Sequence, residues 1–327
     1  IFMNTTSLAY FIAAAEDLNF TKTAARLFIS QQTLSNHILR LEEACDTTLF
    51  NRKPHLSLTF AGEILLDHAK EILLCESNLR QALLDAKNEQ CGNLKIGSST
   101  TRAVIFMPHV LPIFREKYPG VTIDLVDQPS PMLKNLVLSG KLDFALGTFD
   151  SFSPELKVIP ILTDRLFFVV SKVLLEQVFG SDSSRVIQRS SQRANFEDLA
   201  DLPIIMPNSD TRLHRLILQC YEEVSREPYV YLSTTYIQFF LPLCLQGLVA
   251  CIVSEMTLSS ILPDLSQDML VFPVRLTQVP ASMQLSVIMY KKRHLPAYGY
   301  EFIRCLSDYC QFARSYNTSG QSGTPAD

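Results

Sequence analysis

Leu8, Phe11, Ile12 and Ala15 stand at i, i+3, i+4 and i+7, an apolar stripe that predicts a short amphipathic helix. Asn19 and Phe20 interrupt the stripe, and Thr21 is the expected N-cap of a second helix running to about Leu27. Ala24 and Ala25 are small enough there to let another helix approach closely. After a tight apolar turn at Phe28 and Ile29, Ser30 caps a third helix extending to about Ala44. Leu34, Ile38 and Leu41 must face inward on it, which turns Gln31, Gln32, Ser35, Asn36 and Arg40 outward. Two short helices joined by a turn, the second with an amide-rich outer face, form a helix-turn-helix pattern. A helix ~10–12 Å across fits the major groove of DNA, where amides and hydroxyls can pair with base edges. The same spacing also describes an ordinary three-helix core with a solvated face.

Residues 49–53 and 56–59 alternate like the arms of a short β-hairpin. Pro54 and His55 occupy its tip beside two cations, which suits a wing lying against a phosphate backbone. Thr59 then caps a long helix continuing to about Gln90 and closed by Gly92. Leu65, Ile72, Leu79 and Ala86 recur at intervals of seven along it, a seam suited to a partner helix. At ~1.5 Å per residue the helix is about 45 Å long, more than one globular domain needs. Dimerisation and packing within one chain are the two uses open to it.

Beyond Gly92 the pattern changes to β/α alternation. Strands are expected at 94–97, 121–125 and 142–147, with helices over 103–117 and 131–139. The chain then crosses into a second lobe, with strands at 166–170, 204–206, 230–232 and 248–253 and helices over 212–224 and 235–246. Strands at 270–274 and 285–290 and a helix over 298–310 are expected back in the first lobe. Strand-helix-strand order of this kind argues for parallel sheets. Residues 181–195, rich in Ser, Gln and Arg, read as a flexible polar loop, and the tail from about 316 as disordered.

The 327 residues suffice for two or three domains with a sizeable core. No apolar run is long enough for a bilayer, and the N-terminus has no basic segment before an apolar core, so no membrane span or secretory signal is expected. A cytoplasmic chain is the expectation. The net charge is −4, and residues 1–62 carry five Lys or Arg against five Asp or Glu. DNA affinity must therefore come from local placement of Lys22, Arg26, Arg40, Arg52 and Lys53. The eight cysteines form no CxxC pair and no zinc spacing, so they read as buried free thiols, with redox sensing as the alternative.

Residues 24–35 read Ala-Ala-Arg-Leu-Phe-Ile-Ser-Gln-Gln-Thr-Leu-Ser. Ile38, Leu41-Glu42-Glu43, Leu49-Phe50 with Arg52, and Leu58-Thr59 with Ala61-Gly62-Glu63 follow. In order and spacing, residues 8–66 resemble the signature of LysR-type transcriptional regulators. The resemblance implies a regulator that binds double-stranded DNA. Thr21 and Lys22 would touch phosphate, Gln31, Gln32, Thr33, Ser35, Asn36 and Arg40 would lie on the reading helix, and Arg52 and Lys53 would sit in the wing. Gln32 stands where the family usually has Pro, Asn36 where Arg is common, and the wing is about a residue short.

Gly92 with residues 94–97, Phe114 with Tyr118-Pro119, Gly140 with Leu142-Asp143, and Gln246-Gly247-Leu248 with Cys251-Ile252-Val253 resemble the same family's effector domain, which is similar to periplasmic solute-binding proteins. The implied organisation is an all-α winged helix-turn-helix over 1–62, a linker and dimerisation helix over 63–91, and an α/β two-lobed effector-binding domain over 92–315. Lobe I would take about 92–163 and 268–315, lobe II about 164–267, and 316–327 would be a disordered tail. The resemblance further implies a homodimer through the linker helix, a homotetramer of such dimers, and no cofactor.

In open α/β sheets a ligand lies beyond the carboxyl ends of strands, near helix N-termini. Ser98 to Thr101 occupy such a place, where Ser99, Thr100 and Thr101 could bind a small polar or anionic effector or simply cap the helix. Gln128, Ser130 and Thr148 lie at equivalent strand ends, and Met206 and Asn208 would face them from the second lobe. Arg102 and Arg212 could neutralise an anion or be solvated. There is no GxSxG elbow, Walker loop, HExxH or dinucleotide fingerprint, so the chain does not read as an enzyme. A transport solute-binding protein would share the lobes but have no use for residues 4–62.

Overall fold

The computed structural model describes residues 4–53, 55–86, 91–193, 196–208, 211–260, 268–275 and 280–320. The chain divides into two compact units, Ile1–Glu89 with Lys292–Pro296, and Gln90–Lys291 with Ala297–Asp327.

In the first unit, helices α1 (Thr5–Asp17), α2 (Phe20–Arg26) and α3 (Gln31–Cys45) precede a hairpin of β1 (Phe50–Asn51) and β2 (Ser57–Leu58), then α4 (Phe60–Ala86). Asn4 caps α1 and Ser30 caps α3, each side chain accepting a backbone N–H three residues on. The cap of α2 is Asn19, which accepts the Lys22 N–H at 3.0 Å; Thr21, the expected cap, lies inside the first turn. Asn19 has the extended backbone a cap requires, so the helix begins two residues earlier. Leu8, Phe11, Ile38, Leu41, Leu49 and Phe50 close the core, and Phe50 meets Phe11 and Phe20 edge to face.

Thr59 accepts the Gly62 N–H at 3.0 Å. A Cβ at Gly62 would stand 2.2 Å from the Leu49 carbonyl oxygen, so only glycine lets α4 pack this close to the hairpin. Leu65 belongs to this core, contrary to its expected place in the α4 seam. Pro54 and the expected end of α4 at 87–90 lie outside the described residues. Gly92 is part of a strand, so it does not cap the helix.

The second unit carries a nine-stranded sheet system that one strand shares between two lobes. Lobe I contains β3 (Cys91–Ser98), β4 (Gly120–Asp127) and β5 (Phe144–Thr148), all parallel, and β11 (Ser282–Tyr290), antiparallel to β5. Helices α5 (Thr100–Lys117), α6 (Ser130–Leu138) and α12 (Ala297–Gly320) accompany it. Phe302 of α12 packs on Phe114 and Phe144 at 5.1 and 5.8 Å between ring centres.

The shared strand is β6 (Leu156–Ser171): Leu156 to Arg165 pair with β11, while Leu166 to Val169 pair with β9 (Ala250–Ser254). Lobe II adds β7 (Ile204–Pro207), parallel to both β8 (Val230–Thr234) and β9, and helices α7 (Lys172–Phe179), α9 (Arg212–Glu223), α10 (Phe240–Leu245) and α11 (Glu255–Ser259). Along β6, Leu166, Phe168 and Val170 enter one core and Phe167 and Val169 the other, so the strand is covered on both faces.

Three expectations are corrected here. β10 (Met269–Pro273) pairs with Phe167 to Ser171 and stays in lobe II, leaving β11 as the strand that returns. The polar stretch 181–195 holds a helix, α8 (Ser183–Arg193), because Val186 and Ile187 find the lobe II core to pack on. The final helix continues through Gly320, beyond the point where disorder was expected, and 321–327 lie outside the described residues. No helix of the described residues is long and apolar enough to cross a membrane.

Candidate nucleic-acid interface and effector cleft

The turn between α2 and α3 brings their N-terminal ends together, and the Thr21 hydroxyl donates to Gln31 Oε1 at 3.4 Å. Gln31, Gln32, Thr33, Asn36 and Arg40 are exposed and Ser35 is half-buried, so α3 presents a polar row. Lys22 lies 3.6 Å from Asp17, which also binds Arg26; the Arg26 hydrogen bond is the main cause that lowers the Asp17 carboxyl from its ordinary value. Arg26 also donates to the Ala13 carbonyl, so its work is to brace α2 on α1. Lys53 and Arg40 are exposed without a carboxylate partner among the described residues. Arg52 is held differently. Its Nη2 donates to Glu42 Oε2 at 3.1 Å, and Glu42 Oε1 accepts the Leu49 N–H at 2.9 Å.

In the second unit the ends of β3, β4 and β5 converge at the start of α5. Ser99 is the N-cap by backbone but makes no capping hydrogen bond; its hydroxyl accepts from Arg102 Nη1 at 3.0 Å. Arg102 Nη2 donates to Thr148 at 3.0 Å. The capping role belongs to Asp127, which accepts the Thr100 N–H at 2.8 Å and the Thr100 hydroxyl. Thr100 is therefore committed as a donor, while Thr101 and Ser130 are half-buried and Gln128 is exposed. Asn208 is exposed at the end of β7, but Met206 is 2% exposed within the lobe II core and its side chain is not offered to the cleft. The alternation of β7 sends Met206 inward, a parity the spacing of motifs did not reveal.

Sequence reasoning also passed over Asp164. It lies on β6 where the lobes meet and accepts the Met256 N–H at 3.1 Å. Burial pushes its carboxyl up to about 6, against the Met256 and Ser254 hydrogen bonds and the charge of Arg102, which act the other way. Burial likewise lowers the Arg102 guanidinium from its ordinary value, with Asp164 opposing it. Asp164 stands between Thr163 and Arg165 in the sequence, so its neighbours mark it as an ordinary polar position and only the pairing of β6 with its neighbours shows that it is buried. Arg212, at the start of α9, is not simply solvated: with Arg215 it pairs with Asp150, in the loop after β5.

Five of the eight cysteines are buried, and burial drives the thiols of Cys220 and Cys310 up to about 12. Such thiols form little thiolate, which argues against redox chemistry at these positions. Cys75 and Cys91 are exposed. Among the described residues, no group of His, Cys, Asp and Glu could hold a metal.

Residues 5–63 match the bacterial regulatory helix-turn-helix protein, lysR family, and residues 87–311 match the LysR substrate binding domain. The chain belongs to the LysR family. It is a LysR-type transcription regulator with a helix-turn-helix and an effector-binding domain, and not an enzyme. It is 31% identical to a probable RuBisCO transcriptional regulator of Trieres chinensis over 66% of this chain and 68% of that one. It is 30% identical to the HTH-type transcriptional activator IlvY of Haemophilus influenzae over 70% of this chain and 75% of that one. Its fold is similar to a full-length OxyR variant from Pseudomonas aeruginosa, with TM-score 0.66 and 17% identity over 95% of each chain. It is also similar to full-length CbnR in complex with its target DNA, with TM-score 0.55 and 20% identity over 94% of this chain and 99% of that one.

Proposed function

We infer that the regulator reads a specific duplex through α3 and that a small polar or anionic effector in the cleft modulates this. The exposed row Gln31, Gln32, Thr33 and Asn36, joined to Thr21 across the turn, is the observation that carries the reading. Amides in such a row suit adenine and other base edges, while Lys53 and Lys22 suit phosphate. The DNA-bound CbnR neighbour supports this use of the fold. The relatives named above are a probable RuBisCO transcriptional regulator and the activator IlvY, and names so different select no promoter for this chain.

For the effector, Arg102 offers the strongest recognition chemistry. A guanidinium has five N–H donors, and Ser99 and Thr148 engage one on each terminal nitrogen. Thr101, Gln128 and Ser130 supply further polar groups around the same strand ends, and Asn208 at the end of β7 would supply one from lobe II. The lobes would form the domain over 92–315, following a linker over 63–91, with dimers through α4 and a tetramer of dimers.

Selection of duplex fragments by the full-length chain tests the first part. Asn36→Ala is expected to lose about 1–3 kcal/mol on the selected site and almost nothing on random sequence. Equal losses on both would remove α3 as the reader.

A further inference from the structure

Arg212 and Arg215 stand one turn apart on α9 and share a single carboxylate, Asp150. Asp150 belongs to the loop after β5 in lobe I, so this triad joins the two lobes. Beside it lies a cavity of about 380 Å³ whose lining includes Thr163 from β6, Gln284 from β11, and Arg212, Arg215 and Gln219 from α9. The volume falls in the range of small-molecule sites. Among the described residues no carboxylate lines the cavity, and two guanidinium groups against one Asp150 leave an excess of positive charge. Arg212 also opens α9, where the helix dipole adds to it.

We propose that this cavity is a second small-molecule site, distinct from the Ser99–Arg102–Thr148 cleft, and that it takes a phosphoryl or carboxylate group in competition with Asp150. Arg212 and Arg215 each donate one N–H to a different oxygen of Asp150, and an oxyanion with two acceptor oxygens can take over both donors. Gln219 and Thr163 are placed to meet the rest of such a molecule. An anion seated here takes over the donors that hold Asp150, so occupancy and the interlobe ion pair exclude one another. The ligand's differential affinity for the unlatched state then sets how far it shifts the lobes.

The test titrates full-length protein with inorganic phosphate, and separately with acetate, at constant ionic strength by calorimetry. The two anions distinguish a phosphoryl from a carboxylate preference. Asp150→Asn frees both arginines and is expected to tighten binding by about tenfold; the double variant Arg212→Gln/Arg215→Gln is expected to weaken it by at least about tenfold. Arg102→Gln is the cleft control and is expected to leave this binding within about twofold. Unchanged affinity in the double arginine variant, weaker binding in Asp150→Asn, or no binding of either anion to the unaltered protein overturns the proposal. Loss in Arg102→Gln alone would place the anion in the cleft, which overturns the second site and leaves the effector reading standing.

Discussion

Arg52 donates to Glu42 across 3.1 Å, which ties the wing to the far half of α3 through a carboxylate that is itself almost fully buried. The other oxygen of Glu42 accepts the Leu49 N–H at 2.9 Å, with the Phe50 N–H at 3.4 Å. A residue that looks from the sequence like a surface acid thus sets where the wing stands. Glu42→Ala removes that acceptor and leaves a buried backbone donor unsatisfied. It is expected to destabilise the N-terminal unit by about 2–3 kcal/mol, read as a lower melting temperature in calorimetry. Arg52→Ala, whose side chain is 58% exposed, should cost under about 1 kcal/mol. Equal effects would mean that the surface ion pair, and not the backbone bond, holds the wing.

Phe28 in the turn between α2 and α3 has φ of +56° and is 96% exposed, so its side chain gains nothing from burial while its backbone occupies the left-handed region. Phe28→Gly relieves that strain, partly offset by the entropy glycine brings to the unfolded chain. A gain of about 0.5–1 kcal/mol in denaturant unfolding is expected. A loss would show that the ring contributes to stability despite its exposure.

Local pattern carried the first unit far: Leu8, Phe11, Ile38 and Leu41 are inward as their spacing requires, and Ser30 caps α3. What spacing could not decide was which partner an apolar or polar group would meet. Leu65 and Leu79 look alike in a seven-residue repeat, yet Leu65 faces the hairpin core and Leu79 is 60% exposed. β10 and β11 are similar apolar strands, and only non-local pairing to the two halves of β6 separates them. The cleft suffered most. Thr100 was legible as a hydroxyl at a helix start, but Asp127, which occupies it, comes from a strand 27 residues away.

With Leu65 in the core, the exposed row that α4 leaves for the proposed seam is Ile72, Cys75, Leu79 and Leu83, at i, i+3, i+7 and i+11; the side chain of Ala86 lies outside the described residues. Leu79→Glu places a charge where a partner helix would bury an apolar side chain. The expected outcome is dissociation to monomers in light scattering, with weaker DNA binding because two linked heads gain from effective concentration. Since Leu79 is exposed within one chain, the variant should keep its helical circular dichroism. An unchanged assembly in that folded variant would exclude the seam.

Asp164 gives the cleft a pH dependence whose sign is opposite to that of an ordinary ion-paired acid. Its carboxyl lies at about 6 in the folded chain against an ordinary 3.8, so between these values the folded state binds more protons than the unfolded state. Stability from this group therefore falls as pH rises from about 4 to about 6 and is level above that. The cost reached at neutral pH is on the order of 2–3 kcal/mol, already net of the Met256 N–H that Asp164 accepts. Asp164→Asn cannot ionise but keeps an acceptor oxygen for that N–H. Its own effect on packing, and the loss of a counter-charge for Arg102, displace the whole curve, so the informative quantity is the difference between variant and unaltered protein across pH. That difference should move in favour of the variant between pH 4.5 and 7.5 in thermal unfolding of the effector domain. A difference that stays constant over this interval would show that Asp164 does not titrate within it.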